Sequence, residues 1–122
     1  MSQPLPPPKR DRIANNEVRR YVQKREVFIT HNKTIYAEYN GDLYIVYSYG
    51  HHFPMYIYDA QRDMWFGNSD KYSQTTSRHQ SKARPSQDID GWMDTTNMQL
   101  FIRSGGYVQH TAQRMVGDAH AV

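Results

Sequence analysis

The sequence predicts an α+β domain in which an antiparallel meander of four or five strands packs against one or two helices. Three observations predict this fold. Residues 34–66 are rich in apolar and aromatic side chains, and their alternation with a period of two is typical of strands. The pair Asn40-Gly41 interrupts this region with the residues that a tight type I′ hairpin turn prefers. Segments with a helical period lie on both sides, so at least one helix can cover the sheet.

The first predicted element is a helix over residues 11–25, with Asp11 as its N-cap. Basic residues surround an apolar stripe that is formed by Ile13, Val18, Tyr21 and Val22. Residues 27–30 have the composition of an edge strand, and they lead into the sheet region.

Four strands are predicted in the sheet region, at residues 34–39, 43–49, 54–58 and 64–66. A second helix is predicted to begin after Asp94 or Thr95 and to end at Gly105-Gly106. Its apolar face would pack on the sheet, so the predicted domain has two layers.

The composition changes along the 122 residues, which is a length typical of one domain. Four of the six prolines lie in residues 1–10, so this segment is interpreted as a proline-rich arm. Residues 11–107 are predicted to form a single α+β domain. The small and polar residues 108–122 are interpreted as a flexible tail.

Residues 71–85 follow neither period and are predicted to form a loop that combines hydroxyl groups with cations. No acidic residue occurs between Asp70 and Asp88. Hydroxyl and guanidinium groups suit phosphate oxygens, because they donate one or two hydrogen bonds to them, and the run Thr75-Thr76-Ser77 could start a short helix. Alternatively, the hydroxyls cap backbone groups of a solvated loop. The predicted binding residues are Lys71, Tyr72, Ser73, Thr75, Thr76, Ser77, Arg78, His79, Lys82, Arg84 and Tyr49.

Tyrosine is unusually frequent: the chain has ten, and seven of them lie between residues 36 and 58. An aromatic face of the sheet, next to the basic loop, could stack the bases of a single-stranded nucleic acid or bind a protein. The alternative is that the tyrosines fill the core, since tyrosine is a good strand former.

Three histidines are candidate catalytic residues if the protein is an enzyme. His51 and His52 follow Gly50 at the break between two strands, and His79 lies in the basic loop. Two imidazoles close to one phosphodiester would form the acid–base pair of a metal-independent ribonuclease. The spacing of the histidines and carboxylates matches no metal motif, so neither a metal nor another cofactor is expected.

The overall composition narrows the possible classes. The formal net charge of +3 permits nucleic-acid or acidic-protein partners without demanding them. Because there is no cysteine, disulfides and thiolate metal sites are excluded. No run approaches the roughly 20 apolar residues that a membrane span needs, so no membrane association is predicted.

Two segments, YSYGHHFPMY at residues 47–56 and NSDKYSQTTSRHQSKARP at residues 68–85, resemble a small uncharacterised domain family of tailed bacteriophages. The resemblance covers residues 34–106. It implies a viral origin and a location in the host bacterial cytoplasm or in a virion. It implies no established activity and no catalytic residue.

Three functions are therefore considered, with a non-enzymatic one favoured. The first is a phage-encoded binding protein that acts on a host protein, a phage protein or a nucleic acid through the basic Ser/Thr-rich loop and the aromatic sheet. The second is a minor virion or assembly component, which would explain a proline-rich arm and a tail that become ordered only against neighbouring subunits. A homo-oligomer is also compatible with the sequence. The third is a metal-independent, ribonuclease-like enzyme that uses His51 or His52 with His79.

Overall fold

The structure, a computed structural model, describes residues 10–106. The predicted arm, apart from Arg10, and the predicted tail lie outside the described residues. Seven strands form one open sheet, in which they are ordered as they follow along the chain: β1 Asp11–Ile13, β2 Phe28–Thr30, β3 Ile35–Asn40, β4 Leu43–Ser48, β5 Pro54–Asp59, β6 Met64–Asn68 and β7 Gly91–Met93. The helices are α1 Val18–Gln23, α2 Gln74–Ala83 and α3 Thr95–Arg103. The α+β class is thus confirmed, but the strand count exceeds the predicted four or five.

The two additional strands lie at the edges of the sheet. β1 pairs in parallel with β2, and β7 pairs in parallel with β6, whereas all other pairs are antiparallel. Both strands have only three residues. A strand of three residues is too short to show a period in the sequence. It forms only where a segment far along the chain supplies its hydrogen bonds.

The central hairpin is confirmed, although its turn differs by one residue from the prediction. Asn40 still pairs with Leu43, so Gly41 and Asp42 are the two residues of the turn. Of these two, only Gly41 has a positive φ, of 61°. A type II′ turn needs glycine at its first central position, whereas type I′ needs a positive φ at both. The turn therefore uses the glycine as predicted, but in a different geometry.

Both faces of the sheet are covered, which corrects the predicted two layers to three. On β4, Tyr44 and Val46 belong to a core cluster with residues of α1 and α2, whereas Ile45 and Tyr47 belong to a second cluster with residues of α3. All six residues of β4 are buried. The central strand is therefore the middle of a helix–sheet–helix sandwich.

The N-terminal segment is not the predicted helix over residues 11–25. Asp11 lies in β1, where it pairs with Phe28 of β2, so it is not an N-cap. A short 3-10 turn separates β1 from α1. The pairing of β1 with β2 uses the backbone groups that a longer helix would need. The apolar stripe nevertheless points inward, since Ile13, Val18 and Val22 are buried.

The predicted loop at residues 71–85 is largely the helix α2. Ser73 is its N-cap, and the side chains of Ser73 and Thr76 form a capping box. The buried side chains are spaced as in any amphipathic helix, at positions i, i+3, i+4 and i+7: Thr76, His79, Gln80 and Ala83. Three of these four are polar, so hydrophobicity did not show the period.

The second predicted helix is confirmed as α3. The Asp94 side chain accepts a hydrogen bond from the Asn97 backbone N–H, as an N-cap does. The helix ends before Gly105, which has a positive φ of 69°. Within residues 10–106, no helix is long and apolar enough to cross a membrane.

Candidate functional site

Helix α2 is attached to the sheet by the polar side chain of Gln80. Its Nε2 donates to the backbone oxygen of Asn68 at 3.0 Å, and its Oε1 accepts from Lys71 Nζ at 3.3 Å. The Tyr56 hydroxyl donates to the Gln80 backbone oxygen at 2.7 Å. These bonds hold α2 so that one side packs on the sheet, mainly on β4 and β5, and the other side faces outward.

His79 also belongs to the inner side of α2. Its Nδ1 and the Ser48 hydroxyl share a buried hydrogen bond of 2.7 Å, and its ring lies 5.3 Å from that of Tyr49. Burial, with a smaller contribution from the charge of Lys82, holds the pKa of His79 below its ordinary value of 6.5. His79 is therefore a neutral, structural residue at neutral pH.

A consequence is that stability should depend on pH through His79. Just below pH 6.5 the unfolded chain binds more protons at His79 than the folded chain does. The contribution of His79 to the free energy of unfolding is therefore fully present above pH 6.5 and is lost as the pH falls below that value. We expect the free energy of unfolding of wild type to decrease between about pH 7.5 and about pH 5.5, and to decrease less in His79→Asn. Urea unfolding at both pH values measures this. The matched control replaces the exposed His31 with asparagine. Equal slopes in all three proteins would contradict the prediction.

The hydroxyls at the start of α2 are engaged within the helix. Ser73 Oγ accepts from the Thr76 backbone N–H at 3.1 Å, and Thr76 Oγ1 accepts from the Ser73 N–H at 3.0 Å. Thr76 is buried, like His79. Of the predicted binding residues, Ser73, Thr76 and His79 thus have structural roles, whereas Thr75 and the cations are exposed.

The outer side of α2 and its two ends carry four cations: Lys71, Arg78, Lys82 and Arg84. Among the described residues, no acidic side chain forms an ion pair with any of them, since the three ion pairs that occur lie elsewhere. Lys71 and Arg78 line an open depression of about 480 Å³, together with Tyr72, Ser73, Gln74 and Ser77. Five of the eleven predicted binding residues therefore line one depression: Lys71, Tyr72, Ser73, Ser77 and Arg78.

Helix α1 extends this cationic area. Arg19 Nη2 donates to the backbone oxygen of Ser81 at 2.7 Å, which joins α1 to α2. Arg19 and Lys82 line a second depression of about 400 Å³. We name the surface formed by Arg19, Lys71, Arg78, Lys82 and Arg84 the basic surface. Arg20 is not included, because Glu17 lies 3.6 Å from it and neutralises it.

Three exposed aromatic rings flank α2. Tyr49 and Tyr72 are each 62% exposed and were predicted; Trp92, which is 48% exposed, was not. Trp92 lies on the sheet above Gly67, where a Cβ atom would come within 2.6 Å of its ring, and the Arg84 guanidinium lies 5.6 Å from the ring centre. The only sequence signal for Trp92 is an isolated tryptophan in a polar segment.

Most sheet tyrosines do not form the predicted aromatic binding face. Burial raises the pKa of Tyr36 to about 12 and also raises the pKa values of Tyr44 and Tyr47. Tyr56 is buried too. These side chains fill the two cores, and three of the four exposed aromatic rings among residues 10–106 lie beside α2 instead.

His51 and His79 lie on opposite faces of the sheet. His51 packs against the rings of Tyr36 and Tyr47, on the α3 face, and its Nε2 lies 2.6 Å from Glu38 Oε1. His79 lies on the α2 face, so His51 and His79 do not form an acid–base pair. The backbone oxygen of His52 accepts a hydrogen bond from Gln99. In the part of the chain that the structure describes, no three His, Asp or Glu side chains are grouped to hold a metal ion.

Comparison with known proteins adds no relative. No family model, no curated protein and no solved structure matches the chain. The resemblance to a phage domain family therefore stays a prediction. The features that bear on function are the basic surface and its flanking rings.

Proposed function

We propose that the protein is a non-enzymatic nucleic-acid-binding protein, which contacts the phosphate backbone through the basic surface. The observation that carries this proposal is the set of four cations on and beside α2 without an acidic partner among residues 10–106. Arg78 and Lys82 lie one turn apart on α2, so their like charges repel one another. A polyanion that lies across them relieves this repulsion and adds hydrogen bonds.

The composition of the surface supports a phosphate ligand. Arg78 and Arg84 can each donate two parallel hydrogen bonds to phosphate oxygens, and the exposed Thr75 and the partly buried Ser77 add a hydroxyl group each. No carboxylate interrupts the chain between Asp70 and Asp88, so no acidic side chain of this segment opposes an anion. An acidic surface of a host or phage protein is the competing partner.

The proposal predicts a binding affinity that falls steeply with salt, because bound cations release counterions from the nucleic acid. Two phosphate contacts should be lost in the double variant Arg78→Gln, Lys82→Gln. We expect the slope of log affinity against log salt to become shallower by about 1.4, at about 0.7 per contact on a single strand. Fluorescence anisotropy of a labelled oligonucleotide, titrated at several salt concentrations, measures both slopes.

A matched control separates a specific surface from net charge. The double variant Lys33→Gln, Arg103→Gln also removes two cations, but from the β2–β3 turn and from α3. Both double variants lower the formal net charge from +3 to +1. The control should keep the wild-type slope. Equal reductions in both variants, a salt-independent affinity, or binding to an acidic protein without binding to nucleic acid would overturn the proposal.

A further inference from the structure

We infer that the basic surface selects single-stranded over double-stranded nucleic acid, because the aromatic rings beside α2 stack on unpaired bases. This inference rests on the proposed function and names its ligand class. It is carried by the position of the rings, which is an observation separate from the charge.

The exposed rings are concentrated at this one helix. Within residues 10–106, four large hydrophobic side chains are exposed: Tyr39, Tyr49, Tyr72 and Trp92. Three of them flank α2, and the fourth, Tyr39, donates its hydroxyl hydrogen to the backbone oxygen of Arg25 at 2.7 Å. Exposed aromatic area that is grouped beside cations indicates a binding surface rather than scattered exposure.

Each of the three rings packs with one side against another residue of the domain. The ring centre of Tyr72 lies 4.8 Å from that of the buried Phe53, and the ring of Tyr49 lies 5.3 Å from that of the buried His79. Trp92 rests on Gly67, which has no side chain to displace it. A ring that is packed on one side and exposed on the other is already ordered, so a base can stack on it at a small cost in conformational entropy.

Cations lie next to the rings. Lys71 precedes Tyr72 in the chain, and the guanidinium of Arg84 lies 5.6 Å from the Trp92 ring centre. Between Lys71 and Arg84, helix α2 carries Arg78 and Lys82. The ten residues of α2 span about 15 Å, which corresponds to at most about five nucleotides at the 3.4 Å spacing of a duplex strand. A strand that follows α2 can therefore place bases on the rings at both ends while its phosphates meet the cations.

This arrangement distinguishes the two forms of nucleic acid. In a duplex the base faces stack on one another and only their edges are accessible in the grooves, so the rings have nothing to stack on. In a single strand the faces are accessible, and each base stacked on an aromatic ring contributes about 1–3 kcal/mol. The cations alone would bind both forms.

The test compares one labelled strand, alone and as a duplex, at one salt concentration. We expect wild type to bind the single strand at least about fivefold more tightly, and Tyr72→Leu and Trp92→Leu each to lose about fivefold in affinity for the single strand and less than about twofold for the duplex. Tyr39→Leu removes an exposed ring at the hairpin turn, away from the basic surface, and should change neither affinity. Circular dichroism spectra and melting temperatures show whether each variant is folded.

Two results would overturn the inference while the proposed function stands. The first is that wild type binds the single strand and the duplex with equal affinity and a steep salt dependence. The second is that the ring variants lose affinity for the duplex and for the single strand to the same extent. Tyr49→Leu provides a third, independent ring, so misfolding of one variant leaves the comparison intact. Absence of binding to both forms would instead refute the proposed function.

Discussion

Replacing Phe101 with alanine should lower the free energy of unfolding by about 3–5 kcal/mol, because it leaves a cavity in the core between the sheet and α3. Phe101 is fully buried, and its ring centre lies 5.3 Å from that of Phe66 in an edge-on arrangement. Met98 is buried in the same cluster, one turn earlier on the helix. A domain of this size is stable by about 5–15 kcal/mol, so the melting temperature should fall by about 12 °C or more.

Thermal and urea unfolding followed by circular dichroism measure this loss. Thr96→Ala is the control on the same helix, since Thr96 is exposed and its replacement should change stability by no more than about 0.5 kcal/mol. If Phe101→Ala were as stable as the control, α3 would not be packed on the sheet, and the three-layer architecture would be wrong.

The parts of the fold that could be predicted are those whose pattern is local and hydrophobic. Asn40 and Gly41 interrupt two alternating runs, and Asp94 precedes an apolar helical stripe, so each element could be read within a few residues. The strands β1 and β7 could not be predicted in this way. Each depends on hydrogen bonds from a segment far along the chain, and Gly91 even lacks a side chain that would favour a strand.

The residue types of the candidate site could be predicted from the sequence, but their arrangement in space could not. The cations of residues 71–85 and the rings of Tyr49 and Tyr72 were identified, because residue type alone indicates what they can bind. Their grouping depends on helix α2. Most buried residues of this helix are polar, so the hydrophobicity pattern of the sequence does not show a helical period. Trp92 was missed, because only the pairing of β7 with β6 brings it beside Arg84.

That polar inner face makes a strong prediction about Gln80. Gln80→Leu keeps a side chain of similar volume but removes the N–H donor from the backbone oxygens of Asn68 and Asp70, which are 3.0 Å and 3.3 Å from Gln80 Nε2. Removing the partners of buried polar groups costs about 1–3 kcal/mol. Because two acceptors lose their donor and Lys71 loses its acceptor, we expect the free energy of unfolding to fall by about 2–3 kcal/mol.

The same substitution should also weaken nucleic-acid binding, since α2 carries the basic surface and Gln80 holds Lys71 in place. Ser81→Ala is the matched control on the next residue: the Ser81 side chain is exposed, and its backbone oxygen still accepts from Arg19. We expect that variant to keep both stability and affinity. If Gln80→Leu were as stable as wild type, an apolar side chain would serve the inner face equally well. The side-chain hydrogen bonds of Gln80 would then not be what fixes α2 against the sheet. The position of the basic surface would instead depend on the hydrogen bonds from Tyr56 to the Gln80 backbone oxygen and between Ser48 and His79.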